Sequence, residues 1–184
     1  MKQHIIWEWA NRAGLEHLQL SNFGAEGIKA EGLIVAETDA GVVHFRYSGY
    51  WETNWRLRRC AVMVARRGST LRLSCRGEDW LVDGVRRPDL NNCVALDIRD
   101  TPFTKTPLIQ IAGLAVGEKC EQRVAYVDNR QLAVREVIQT WSRFDEEAEH
   151  STYHCSQDDE KQEPLIADDG GIIRFSARRW RRVA

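Results

Sequence analysis

Asp97 follows the apolar run Val94-Ala95-Leu96, so its carboxylate is expected to be buried, as a hydrogen-bonded cap or as a general base. A base needs a hydroxyl or imidazole partner, and the sequence identifies none for it. The only histidine cluster is His150, His154 and Cys155, whose strand spacing puts both imidazoles on one side and the thiol on the other. Three or four convergent ligands make a metal site, so this segment reads as a polar surface strand and no metal is expected. The sequence contains no GxSxG elbow, Walker-type loop or GxGxxG, and Gly27 and Gly32 stand too far apart to cradle a phosphate. Neither catalytic residues nor a cofactor is expected.

Arginine is the other chemical resource. It makes up 21 of the 26 basic residues, and its planar fork suits carboxylates, phosphates and hydroxyl-rich groups. Segments 42–51 and 55–65 read as a hairpin around Glu52-Thr53-Asn54. If Trp51 pairs with Trp55, the odd positions share a face on which Phe45, Tyr47, Trp55, Leu57 and Met63 surround a single guanidinium, Arg59, while Arg58 lies on the other face. A one-residue slip would merge the faces. An Arg on an apolar face must be paired. Arg59 is expected to meet a ligand head group beside Tyr47 or to close a salt bridge with Asp97 or Glu136. The terminal Arg178-Arg179-Trp180-Arg181-Arg182 reads as a solvated strand edge.

The 26 basic and 27 acidic residues leave a net charge of −1, which removes the general electrostatic case for a nucleic-acid partner. Residues 145–163 hold eight acids against Lys161, a local −7 that is a candidate protein-docking segment. An odd set of five cysteines without a CxxC pair reads as reduced thiols in a cytoplasmic protein. Glu8 interrupts the N-terminal apolar residues, and no later run reaches the ~20 apolar residues of a membrane helix, so neither export nor stable membrane insertion is expected. The oligomeric state is left open.

The elements that must position these residues read as a mainly β protein. Turn signals such as Asp83-Gly84 and Asp168-Asp169-Gly170-Gly171 punctuate runs rich in Val, Ile, Trp and Tyr. The predicted strands are 3–9, 15–22, 26–37, 42–51, 55–66, 69–76, 79–82, 93–98, 117–127, 132–144, 151–156, 164–167 and 172–182. Long antiparallel strands twist into a barrel or half barrel, here within a single domain over 1–184, and the apolar face needs a cover. The candidate is 100–112: a turn capped by Thr101, a break at Pro107, then a second short helix, Leu108 to Ala112, with Phe103, Leu108, Ile109 and Ile111 facing the sheet.

The run Pro88-Asp89-Leu90-Asn91-Asn92-Cys93-Val94-Ala95-Leu96-Asp97-Ile98, followed by Thr101-Pro102-Phe103-Thr104-Lys105-Thr106 and Gly113-Leu114, resembles the signature of a bacterial family described as "putative glycolipid-binding". The resemblance extends through Trp55 to Arg59, Tyr126-Val127, Tyr153 and Arg181-Arg182-Val183; Lys105 departs from an expected Asn, and Pro107-Leu108 inverts the usual order. It implies a barrel-like shell similar to periplasmic lipoprotein carriers. The expected function is binding of a lipid or glycolipid-like amphiphile in an apolar concavity, with Phe45, Tyr47, Trp55, Arg58, Arg59, Asp97, Thr104 and Tyr126 as ligand-binding candidates. The alternatives are a hydrolase or isomerase with Asp97 as base, and an interaction module using the acidic segment.

Overall fold

The computed structural model describes residues 1–38, 41–65, 68–147, 150–157 and 163–184. Among them run fifteen strands: β1 (Lys2–Trp9), β2 (Gly14–Asn22), β3 (Ile28–Thr38), β4 (Gly41–Trp51), β5 (Leu57–Val64), β6 (Ser69–Arg76), β7 (Asp79–Val82), β8 (Val85–Arg86), β9 (Ala95–Ile98), β10 (Lys119–Asp128), β11 (Ala133–Glu147), β12 (His150–Gln157), β13 (Glu163–Ala167), β14 (Ile173–Ser176) and β15 (Trp180–Arg182). All belong to one sheet, ordered β8-β7-β6-β5-β4-β3-β2-β1-β15-β14-β13-β12-β11-β10-β9. Every pairing is antiparallel except β9 with β10. The sheet does not close, so the fold is a half barrel. Its two edges are joined through 87–94, where a 3-10 turn (Pro88–Leu90) buries Leu90 and the Trp80 indole donates to the Cys93 carbonyl at 3.3 Å.

The concave face is apolar because the strands alternate. Ile5 and Trp7, Leu18 and Leu20, Phe45, Tyr47 and Trp51 all point inward and are buried. The register of β4 with β5 corrects the expected faces. Tyr50 pairs with Arg59 but Trp51 pairs with Leu57, so Arg58 is an extra residue that bulges β5 and reverses its alternation. Trp55 starts the shift by taking a positive φ of 66° in the turn. Cys60 and Val62 therefore face the core, whereas Arg59 and Met63 are exposed.

The interior is occupied by the expected cover, in a different form. A continuous helix, α1 (Lys105–Ala112), replaces the broken pair of turns. It begins late enough that Pro107 falls in its first turn, where a backbone N–H would have had no helical partner anyway. It ends, as anticipated, at Gly113 in the left-handed conformation. Phe103, Leu108 and Ile109 are buried, and Phe103 stacks on Tyr47 (5.9 Å between centroids) and meets the edge of Trp51 (5.2 Å). With Trp7, Trp51, Trp80, Trp141 and Trp180 also buried, the concavity is filled by the protein's own side chains.

The predicted strand 172–182 breaks at 177–179 into β14 and β15, and β15 lies mid-sheet between β1 and β14. It is therefore not a solvated edge: Arg181 pairs with Glu8, and Arg178 and Arg179 sit in the turn.

Candidate functional site

Beside the filled core lies a cavity of about 510 Å³ with two charged lips. One lip comes from the β1–β2 turn, with Trp9, Asn11 and Arg12, and the β14–β15 turn, with Arg178, Arg179 and Trp180. These turns are tied together: Ala10 donates its N–H to the Arg179 carbonyl at 2.9 Å, and the Asn11 amide donates to the Arg178 carbonyl. The facing lip is the end of β9 and the β10–β11 turn, with Arg99, Asp100, Tyr126, Asp128, Arg130 and Arg135. Asp128 builds that turn by accepting the backbone N–H of Arg130 at 2.9 Å. Asp100, at φ 67°, turns the chain out of β9 toward α1.

Asp97 sits on the floor and is fully buried. Its Oδ1 accepts the Thr104 hydroxyl at 2.7 Å; its Oδ2 accepts Lys105 Nζ at 2.5 Å and Gln139 Nε2 at 2.7 Å. Thr104 also accepts the Ile98 N–H at 3.1 Å, fixing the approach to α1 against β9. Burial pulls the Lys105 ammonium's pKa down, but the neighbouring Asp97 outweighs it and holds the pKa above its ordinary value. The floor is thus a buried ion pair, to which Gln139 adds links to Trp141 and Gln157.

A second buried carboxyl stands behind the wall. Glu16, on β2, is fully buried, and its Oε1 accepts Tyr47 Oη at 2.6 Å and Thr101 Oγ1 at 2.9 Å. Among the described residues no cation is paired with it, and burial pushes its pKa up to about 8, against the opposing pull of those two hydrogen bonds. At neutral pH it is mostly protonated. Burial and then Glu16 push the Tyr47 phenol well above its ordinary value. Thr101 touches both systems, lining the cavity and donating to Glu16.

Of the residues singled out in the sequence, Asp97 and Tyr126 line this cavity, and the buried Thr104 joins them only through its hydrogen bond to Asp97. Burial, then Asp97, pushes the Tyr126 phenol up to about 12. Phe45 and Tyr47 pack in the core on the Phe103 side. Trp55 is half-buried in its turn, Arg58 is exposed and bonded to the Glu26 carbonyl, and Arg59 lies outside with its guanidinium 4.6 Å from the Tyr50 ring. Neither salt bridge foreseen for Arg59 forms: Asp97 pairs with Lys105, and Glu136 with Arg123 at 2.7 Å. Sequence reasoning missed Glu16, Thr101, Lys105 and Gln139 as site residues. Glu16 had a signal, an acid in phase with Leu18 and Leu20 on the buried side of β2.

His150 and His154 do share one side of β12 with Cys155 on the other, and among the described residues no three His, Cys, Asp or Glu could hold a metal. All five cysteines are free. Of the acidic segment, 148–149 and 158–162 lie outside the described residues. Among the described residues no helix is long and apolar enough to cross a membrane.

A mainly antiparallel half barrel with an internal helical cover and a polar, ligand-sized cavity defines the class. The chain belongs to the family described as "Putative glycolipid-binding", whose model matches residues 4–182. Its fold is similar to the crystal structure of a DUF1089-family protein from Pseudomonas aeruginosa, with a TM-score of 0.76 and 28% identity over 89% of this chain and 88% of that one. Comparison with curated proteins finds no significant match.

Proposed function

We propose that residues 1–184 act as one non-enzymatic binding unit for a glycolipid-like amphiphile, and that the cavity grips the head group. The supporting observation is the cavity itself. Its volume, about 510 Å³, is within the ~300–1,000 Å³ usual for ligand sites, and aromatic Trp9, Trp180 and Tyr126 stand among hydrogen-bonding groups there. Aromatic rings receive the C–H faces of sugars, while Arg and amide side chains reach hydroxyls. Trp51, Phe103 and Leu108 leave the hydrocarbon part no place inside the sheet, so it stays at the mouth.

Tyr126 and Arg135 are assigned to the head group, Asp97 and Thr104 to the floor beneath it, and Phe45 and Tyr47 to support through Phe103; Trp55, Arg58 and Arg59 receive no contact. Both Asp97 oxygens already accept from three donors, which favours an anchor over a general base. Five free thiols fit a reducing compartment such as the cytoplasm.

The test is native mass spectrometry of the protein purified from cells, with solvent extraction of what it carries. A sugar-bearing amphiphile, retained less well by Tyr126→Ala, is expected. An empty protein that also ignores added alkyl glycosides would sink the reading.

A further inference from the structure

We infer that two adjacent hydroxyls of a sugar head group seat on Lys105 and Tyr126 at the cavity floor, which makes Lys105 a specificity-determining residue; this rests on the amphiphile reading above and deepens it. Lys105 lines the cavity, with its side chain only 11% exposed. An ammonium carries three N–H donors and no acceptor. One of them goes to Asp97 at 2.5 Å, and among the described residues the other two meet no acceptor. Nearly every buried donor has a partner, so theirs comes from the cavity side. The ammonium is also held in place. Gln139 shares Oδ2 of Asp97 and Thr104 takes Oδ1, each at 2.7 Å, so Lys105 cannot swing away without stranding a buried charge.

Tyr126 is its neighbour. In the parallel pairing of β9 with β10, Tyr126 stands opposite Asp97, and both side chains line the cavity. The Asp97 charge is felt at the phenol, second only to burial in raising its pKa. Among the described residues the Tyr126 hydroxyl forms no hydrogen bond, although it can donate one and accept another. Two adjacent hydroxyls complete this set. The first accepts one N–H of Lys105 and donates to Tyr126 Oη; the second accepts the phenol O–H and the remaining N–H. Each bond polarises the next, and no donor of Lys105 or Tyr126 is left over. An ether oxygen accepts only, and a fatty alcohol brings a single hydroxyl, so neither closes the set. The selection therefore favours the vicinal hydroxyls of a sugar ring.

The experiment titrates the whole protein by calorimetry with dodecyl glucoside, mannoside and galactoside, with the 2-, 3-, 4- and 6-deoxy forms of whichever binds tightest, with its free sugar and with dodecanol. Deleting either of two neighbouring hydroxyls should weaken binding about tenfold, because it leaves buried donors unmet, whereas the other deletions should cost under about threefold. In Lys105→Met/Asp97→Leu both large penalties should collapse toward one, and in Tyr126→Phe at least one should shrink. A purely structural Lys105 would weaken every probe alike. Tyr126→Phe removes a single hydroxyl and carries the test if the double variant fails to fold. Arg86→Gln, on exposed β8, should leave the pattern unchanged. Penalties spread evenly over the ring, penalties unchanged in both variants, or dodecanol binding as tightly as the glycosides would overturn the hydroxyl inference and leave an amphiphile site standing; Lys105 would then face water only. Free sugar binding as tightly as its dodecyl glycoside, with the paired penalties intact, would support the hydroxyl inference while overturning the amphiphile reading. Silence from every probe would overturn both.

Discussion

Two buried carboxyls stand on opposite sides of Thr101, and the chain keeps them in opposite ways. On the cavity side, Asp97 is given a cation, Lys105 at 2.5 Å, and Thr104 and Gln139 satisfy its remaining capacity. On the core side, Glu16 has only the neutral donors Tyr47 and Thr101 and holds a proton instead. A buried acid becomes charged or neutral according to whether a cation is delivered to it, since hydrogen bonds alone do not offset desolvation. The delivering element is α1, whose first residue is Lys105.

The sharpest way to break this contrast is Lys105→Met, which strands Asp97 as a buried charge. Urea denaturation should show a loss of about 3–5 kcal/mol, and an additional Asp97→Leu change should recover much of it. A loss under about 1 kcal/mol would mean that Asp97 does not depend on its partner. The opposite behaviour is expected of Glu16→Gln. Between the ordinary carboxyl value of 4.5 and about 8, native Glu16 keeps a proton that the unfolded chain has released. Its favourable contribution is therefore complete below the lower value and drains away as pH rises through the upper one. Relative to the Gln variant, the parent protein should lose stability of order a few kcal/mol from pH 5 to pH 9; parallel curves would place a charge on Glu16.

Gly32→Ala sharpens the core side. A Cβ there would lie 2.1 Å from the Tyr47 ring, so the phenol must move off Glu16, at about 1–3 kcal/mol in thermal unfolding. The smallest effect belongs to Arg59→Ala. An exposed cation over Tyr50 contributes about 0.5–1 kcal/mol, and a larger loss would place Arg59 back among buried groups.

Most of the sheet was legible because alternation and turn chemistry are local. Strands β6 and β7 have the predicted bounds, and Gly113 ends α1 where expected. The face of Arg59 was not legible, because one bulged residue at Arg58 inverts the parity of everything after it on β5. Pro107 misled in a similar way: its meaning depends on where the helix starts, which tertiary packing of Phe103 decides. The site was half legible. Asp97 stood out as a carboxylate after an apolar run, and Thr104 and Tyr126 through the family resemblance, but Gln139, which donates to Asp97, and Arg178, which lines the same cavity, come from distant parts of the chain.

The tie between the two turns of the arginine-bearing lip has a consequence for biosynthesis. Its halves come from residues 9–12 and 178–180, joined by the pairing of Trp9 with Trp180 and by Val183 donating to the Ile6 carbonyl at 2.8 Å. As the polypeptide leaves the ribosome, β1 can zip onto β2 at once, but its other flank stays bare until residues 180–182 emerge. That lip of the cavity is consequently absent from any nascent chain that has not yet reached Trp180, however completely β1 and β2 have already paired.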